Sequence, residues 1–586
     1  MQLKESGANV VGSYQNGDML NDIIKNMVIN PEDVVDNSIQ TLSSEDDEDY
    51  IDYLVITTDS LSNAFKSLVD WKTKKGIKAQ VVTLEYIKDT YINKTVPLQI
   101  KDCLFDLWRT KKIKYVLLGG DDTIVPVQGC YGFVKYGNNN TEEDLTIPTD
   151  LFYACLLGMN WDANNNGVYG EVEDKINMSP SLYVTRVPVR TVADTRHFVD
   201  RITTYESNPG IWTWEDKILM AGNKFAIDGD AAAKGQIMYE KCIKPYWNGK
   251  RVRFYDTETD FPAGASYDFT AKNLQEQLSL GYNFVDIITH GGIPTFRMEK
   301  GSDYSCTEAD GLINPRFTTI ITTTACHTNA FDSSYKYWKQ DPCLSESFIR
   351  SRNSGVLAYL GCSRDGWDYE MYALGASPQY NGLFYKYLFS TDIEDKNFGK
   401  IVAAAKAAMI GKCQSDGPER WIQFGLNPIG DPEMPIFTES PKYFPKASIT
   451  QTSTNITVDT GIEGCRICVM DSIGGSYYEV AENVKTATFY NLPKRVSVCV
   501  TKQNYVPKFY DLTINGTLYL QNQTICGNST IEADKVLIGS KVTRQKTEGK
   551  VVFKNGSTII KSNTITIDSD TIVEENGNLI ITNEKF

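Results

Sequence analysis

Histidine is scarce in this chain: 586 residues carry three, His197, His290 and His327. Chemistry that needs an imidazole has few places to occur, and no His/Cys cluster has the spacing of a zinc site. No run approaches the ~20 apolar residues of a membrane-spanning helix. The opening residues, Met1 to Gly7, lack an apolar core, so no secretory signal peptide is visible. Cationic residues are outnumbered, 59 Lys and Arg against 74 Asp and Glu, for a net charge of −15. That balance argues against nucleic acid as a partner and favours cationic substrates or calcium. The 13 cysteines are an odd number without framework spacing and leave the redox compartment open.

What is present centres on residues 282–332. Tyr282 to Thr289 is a β-branched apolar run of strand length, and it ends on His290-Gly291-Gly292. Thr318 to Ala325 is a second such run, and it ends on Cys326. Two parallel neighbouring strands would deliver an imidazole and a thiol to one carboxyl edge, where open α/β sheets build their sites. The pair suits nucleophilic acyl transfer, in which the imidazole takes the thiol proton and returns it to the leaving amine. Gly291 lets a substrate approach the backbone, so its amide and that of Cys326 are candidate oxyanion donors. The blander reading is a histidine in a turn and a cysteine in a core. His197 falls in a helical pattern, and His327 adjoins Cys326, where neighbouring side chains of a regular element diverge. If Cys326 has a histidine base, it is therefore His290.

A second motif runs from Asp162 to Glu173. It fits the calcium-loop pattern, with Asp162, Asn164 and Asn166 alternating, Gly167 at the sharp turn, Val168 offering a carbonyl, and Glu171 and Glu173 following. No helix signal precedes it, so an isolated structural Ca2+ turn is expected rather than an EF-hand; the other reading is an Asn-Gly loop that binds nothing. Cys465 and Cys468 form a lone C-x2-C pair without a partner pair.

The chain divides by pattern. Residues 1–50 are polar, end in an acidic run, and read as linker. Residues 51–205 and 206–437 alternate strand and helix signals, which implies two α/β subdomains with mostly parallel sheets, the second carrying the thiol. Residues 438–515 show short strands with turn signals, as in a β-sandwich. Residues 516–586 repeat short strands broken by Asn-Gly, a small β-stack or solenoid end.

His-Gly followed by Ala-Cys 36 residues on (326 − 290) resembles the caspase-like cysteine peptidases. The likeness is closer to the gingipain family. It runs from about Tyr53 to Phe437 through Tyr53-Leu-Val-Ile-Thr-Thr58, Tyr115-Val-Leu-Leu-Gly-Gly-Asp121, Trp161 to Glu171, Gly355-Val-Leu-Ala-Tyr-Leu-Gly361 and Gly430-Asp431-Pro432. The resemblance implies a caspase-like catalytic unit followed by an immunoglobulin-like domain, and a secreted or cell-surface cysteine endopeptidase acting on proteins. It also implies that residues 1–50 are the tail of an inhibitory propeptide, against the plain-linker reading. Aligned on the arginine-type members, Asp230, or its near alternative Asp228, falls at the base of the specificity pocket. A carboxylate there would select Arg or Lys at P1, the residue before the cut. The competing role for that aspartate is to cap the helix that begins at Ala231. Asn223 falls where the family has a glutamate beside the catalytic histidine, and an amide there can still orient the ring. Trp367 matches the tryptophan that lines the family's pocket. An inert peptidase-like surface adhesin and a processing peptidase with another P1 preference are the alternatives.

Overall fold

The computed structural model describes residues 50–583, apart from 138, 159, 208, 210–215, 224–230, 256–268, 299, 317, 333–340, 370–373, 453, 515, 527, 545 and 575. Ten short strands make the central sheet: β1 (Tyr53–Thr57), β2 (Ala79–Thr83), β3 (Tyr115–Gly119), β4 (Tyr183–Val187), β5 (Lys217–Gly222), β6 (Lys250–Tyr255), β7 (Phe284–Ile288), β8 (Thr319–Thr323), β9 (Val356–Cys362) and β10 (Leu426–Ile429). Their spatial order is β2-β1-β3-β4-β10-β9-β8-β7-β5-β6. β1, β4, β7, β8 and β9 are buried along their whole length, because helices cover both faces of a parallel sheet.

The two subdomains expected from residues 51–205 and 206–437 contribute to one continuous sheet. β10 is parallel to β4, through Ile429 opposite Arg186, and antiparallel to β9, through Tyr359 opposite Ile429. The two parallel halves therefore run in opposite directions and present their carboxyl ends at opposite edges. A long hairpin, Gln128–Tyr136 with Asn140–Thr149, leaves the first half and reaches the carboxyl edge of the second. Sequence patterning did not foresee it.

The helix Asp59–Lys74 illustrates the local logic. Leu61, Ala64, Phe65 and Leu68 form its buried stripe, Asp59 lies in its first turn, and Lys72 and Lys74 lie in its last. Lys72 is buried and sits 2.7 Å from Glu206, 2.5 Å from Asp431 and 2.6 Å from Glu433. Lys75 pairs with Glu206 and Glu433, and Tyr53 donates to Asp431 at 3.0 Å. Burial opposes ionisation of Asp431 and Glu433, yet Lys72 and Lys75 together hold Glu433 below the usual carboxylate range. Glu206, Asp431 and Glu433 are also the one group of metal-ligating type that lies close together among the described residues. Lys72 already occupies the centre that a cation would take.

Residues 448–513 form the immunoglobulin-like sandwich, with a three-stranded sheet facing a four-stranded one around Ile456, Val458, Ile467, Val469 and Val498. It packs on the first half through Trp71 against Phe509, with ring centroids 5.5 Å apart. Cys465 and Cys468 are both free. The C-terminal segment stacks two parallel sheets, of four and three strands, around Ile531, Val536, Phe553 and Ile560. No helix among the described residues is long and apolar enough to cross a membrane.

Lys72→Met leaves three buried carboxylates without their shared cation. It is expected to destabilise the fold by about 3–5 kcal/mol, measured as a lowered midpoint in urea or thermal unfolding.

Candidate active site

β7 and β8 pair in parallel with Ile287 opposite Thr323, an offset of 36 (323 − 287) that equals the spacing of His290 and Cys326 (326 − 290). Continued past the strand ends, where the Thr324 amide still donates to the Ile287 carbonyl at 3.2 Å, this register brings His290 and Cys326 level at the carboxyl edge. His290 is exposed and Cys326 half-buried. Gly291 passes so close to the nucleophile that a Cβ there would lie 2.5 Å from the Cys326 carbonyl oxygen and 3.0 Å from its nitrogen. Only glycine fits, which is the structural reason for the His-Gly pair.

The Cys326 sulfur is held from a third side. The Gly366 amide donates to Sγ at 3.2 Å, and Gly366 is itself confined, since a Cβ would fall 2.1 Å from the Thr324 carbonyl oxygen. Burial, and then the Asp365 carboxylate, push the thiol up to about 12, while the amides of Gly366, Cys326 and Gly291 pull against them. Both candidate oxyanion donors thus act on the sulfur, with the Gly366 amide as a third that sequence reasoning missed. A thiol so raised is protonated at rest, so its proton has to leave as the sulfur attacks.

Asn223, at the end of β5, is buried. Its Oδ1 accepts from the Thr289 hydroxyl at 2.8 Å, and its Nδ2 donates to the Arg297 carbonyl at 3.1 Å. The Arg297 amide in turn donates to the His290 carbonyl at 2.9 Å. The amide side chain therefore braces the backbone on both sides of the histidine. Asp228 and Asp230 lie outside the described residues.

Trp367 is half-buried at the same edge, 5.1 Å between ring centroids from Tyr136 of the hairpin and 6.1 Å, edge-on, from Trp421. Arg364 fastens that hairpin to the site: buried, it donates to Asp144 at 2.8 Å and to both oxygens of Asp332 at 2.9 and 2.6 Å. Asp332 follows the nucleophile in the chain, so one guanidinium joins the cleft wall to the nucleophile loop. Neither Arg364 nor the wall had a sequence signal, since charge pairs distant in sequence leave no period.

In the second motif Asp162 accepts from the amides of Asn166 and Gly167 at 2.9 and 3.1 Å. Asn164 and Asn166 both turn their amide groups onto Glu171 Oε2, at 3.1 and 2.6 Å. Gly167 adopts the left-handed conformation, φ 82°, that the sharp turn needs. Asp162, Asn164, Asn166 and Glu171 thus converge into one cluster of oxygen-bearing side chains, the donor class that calcium takes. The Val168 amide donates to Asn166 Oδ1 at 2.8 Å. Glu173 is the middle residue of a short helical turn, Val172–Asp174. Asp174, missed in the sequence, accepts from the Ala163 and Glu171 amides at 2.7 and 3.1 Å and closes the loop.

A thiol and an imidazole level at one sheet edge, with backbone amides turned on the sulfur, are the arrangement of a cysteine peptidase. The sequence signature of peptidase family C25 matches residues 46–437, well over half the chain, and the chain belongs to that family. Gingipain R1 of Porphyromonas gingivalis is 22% identical over 484 residues, covering 79% of this chain and 42% of its own. Lys-gingipain HG66 of the same organism is 20% identical over 482 residues, covering 78% of this chain and 25% of its own. The chain thus spans less than half the length of these relatives. Among solved structures, the Arg-specific cysteine proteinase gingipain R superposes with a TM-score of 0.61 at 17% identity, covering 81% of this chain and 99% of that one. The α/β catalytic unit with a β-rich region after it is therefore the gingipain architecture.

Two outcomes follow from the packing around Cys326. Gly291→Ala forces the nucleophile backbone aside and is expected to lower kcat/KM about a hundredfold, with the melting temperature little changed. Alkylation of Cys326 by iodoacetamide in substrate-free protein should climb through the alkaline range, followed by mass spectrometry of the Cys326 peptide. A plateau already reached in mild acid would mean a resting thiolate instead.

Proposed function

We propose that this protein is a cysteine endopeptidase in which Cys326 attacks the scissile carbonyl and His290 carries the proton. The observation that carries this reading is the in-step placement of His290 and Cys326, with the Gly291 amide on the sulfur. As the C–S bond forms, the thiol proton passes to His290 and the carbonyl oxygen takes the negative charge. The amides of Gly291 and Cys326 are placed to receive that oxyanion. Collapse returns the proton to the departing amine and leaves a thioester, which water hydrolyses by the same route in reverse. Asn223 acts on this chemistry by fixing the histidine's backbone.

A basic P1 residue is the preference we infer. Burial, and then the Asp365 and Asp144 carboxylates, raise the Glu142 carboxyl, so three acidic groups lie together at the cleft, and the relatives' names speak of arginine and lysine. Asp228 or Asp230 is the proposed selector, with Trp367 as a wall of the pocket. We also propose a structural Ca2+ held by Asp162, Asn164, Asn166, the Val168 carbonyl, Glu171 and Glu173, and a place of action outside the cell or at its surface.

The test is hydrolysis of fluorogenic peptides with Arg, Lys, Asn or Asp at P1, using wild type, Cys326→Ala and His290→Ala. Cleavage after Arg or Lys that both variants abolish is expected. Cleavage after Asn or Asp keeps the mechanism and removes the proposed pocket; no cleavage of any peptide favours an inert binding module. For the metal, chelation should lower the melting temperature of wild type by several degrees and leave Asp162→Ala, already lowered, unmoved.

A further inference from the structure

His327 follows the nucleophile and has no part in the mechanism above, yet it is held in an unusual way. Its backbone is left-handed, φ 61°, a conformation that costs a side-chain-bearing residue roughly 1 kcal/mol or more. That turn swings the ring away from the course a strand would give it and onto Asp365, with Nε2 to Oδ1 at 3.0 Å. The same two segments meet twice more: the His327 amide donates to the Arg364 carbonyl at 2.9 Å, and the Gly366 amide donates to Cys326 Sγ at 3.2 Å. Residues 326–327 and 364–366 thus clasp each other at three points, and Trp367 is the next residue along.

On the reading that Cys326 is the nucleophile, we propose that His327 and Asp365 are positioning residues. Their bond fastens the Arg364–Trp367 segment to the nucleophile turn, keeping the Gly366 amide on the sulfur and Trp367 at the cleft. The Asp365 carboxylate also acts on the sulfur and opposes thiolate formation, so the bond that seats the ring fixes where that charge stands.

The experiment uses the full chain and three variants, Asp365→Asn, His327→Ala and His327→Gln. Asp365→Asn keeps a hydrogen-bonding side chain and removes the charge. It is expected to speed iodoacetamide alkylation of Cys326 at about pH 8 roughly tenfold, equivalent to about one pH unit. His327→Ala is expected to lower kcat/KM by about tenfold to a hundredfold on whichever peptide the wild type cuts. His327→Gln, which retains a donor for Asp365, should recover most of that loss. Melting temperatures separate these effects from misfolding, and the alkylation rate of Asp365→Asn stands even if the alanine variant fails to fold. The proposal is overturned if Asp365→Asn alkylates at the wild-type rate, or if folded His327→Ala keeps wild-type kcat/KM. Alkylation does not depend on turnover. Faster alkylation in Asp365→Asn without hydrolysis of any peptide would therefore keep the pair and remove the peptidase reading.

Discussion

The parallel pairing of β7 with β8 is the constraint on which the site depends. Both strands are buried on both faces, so a slip of one residue would carry their side chains to the opposite faces. With the register fixed, the thiol and the imidazole arrive together without any contact between them having to hold them there. The remaining features work at the joints: Gly291 and Gly366 give the backbone room to close on the sulfur, Asn223 braces the histidine's turn, and Arg364 anchors the outer wall. None of these groups has a bond-making role in the proposed mechanism, and each limits how far the thiol and the imidazole can drift.

Electrostatically the molecule solves two problems in different ways. Deep between the first-half helices, Glu206, Asp431 and Glu433 gather around Lys72 and Lys75, and the two ammonium groups hold Glu433 below the usual carboxylate range. Breaking such a set is costly even if forming it is nearly neutral. At the catalytic edge, among the described residues, no lysine or arginine is paired with the thiol, and burial keeps the sulfur neutral instead. On the proposed mechanism the backbone amides there pass to the oxyanion as it forms, a site organised for the charge of the transition state more than for a resting thiolate.

The parts of the site that could be read from the sequence are those written at strand ends. His290 and Cys326 were legible because apolar runs of strand length terminate on them, and the tight turn from Asp162 to Glu171 because its alternation is local. The adjacency rule set His327 aside; it assumes a regular strand or helix, and a left-handed backbone at that residue removes the premise. The hairpin that walls the cleft was not legible, because its strands are half polar and its anchor, Asp144 to Arg364, spans 220 residues. Nor was β10: four residues, Leu426–Ile429, with a proline among them, do not announce a strand inserted at the middle of the sheet.

That insertion bears on how the chain reaches its fold. Thr185 bonds the Gly430 carbonyl across 245 residues, and Tyr53 bonds Asp431 across 378. A ribosome therefore releases the first four strands long before the piece that seals them, and β4 waits with an open edge. Contacts of such long range make assembly slow, and an open edge invites pairing with other chains. The two halves of the sheet are a zip whose slider is the last strand to be made. Until it is drawn through, the catalytic half has no fixed seat on the rest of the molecule.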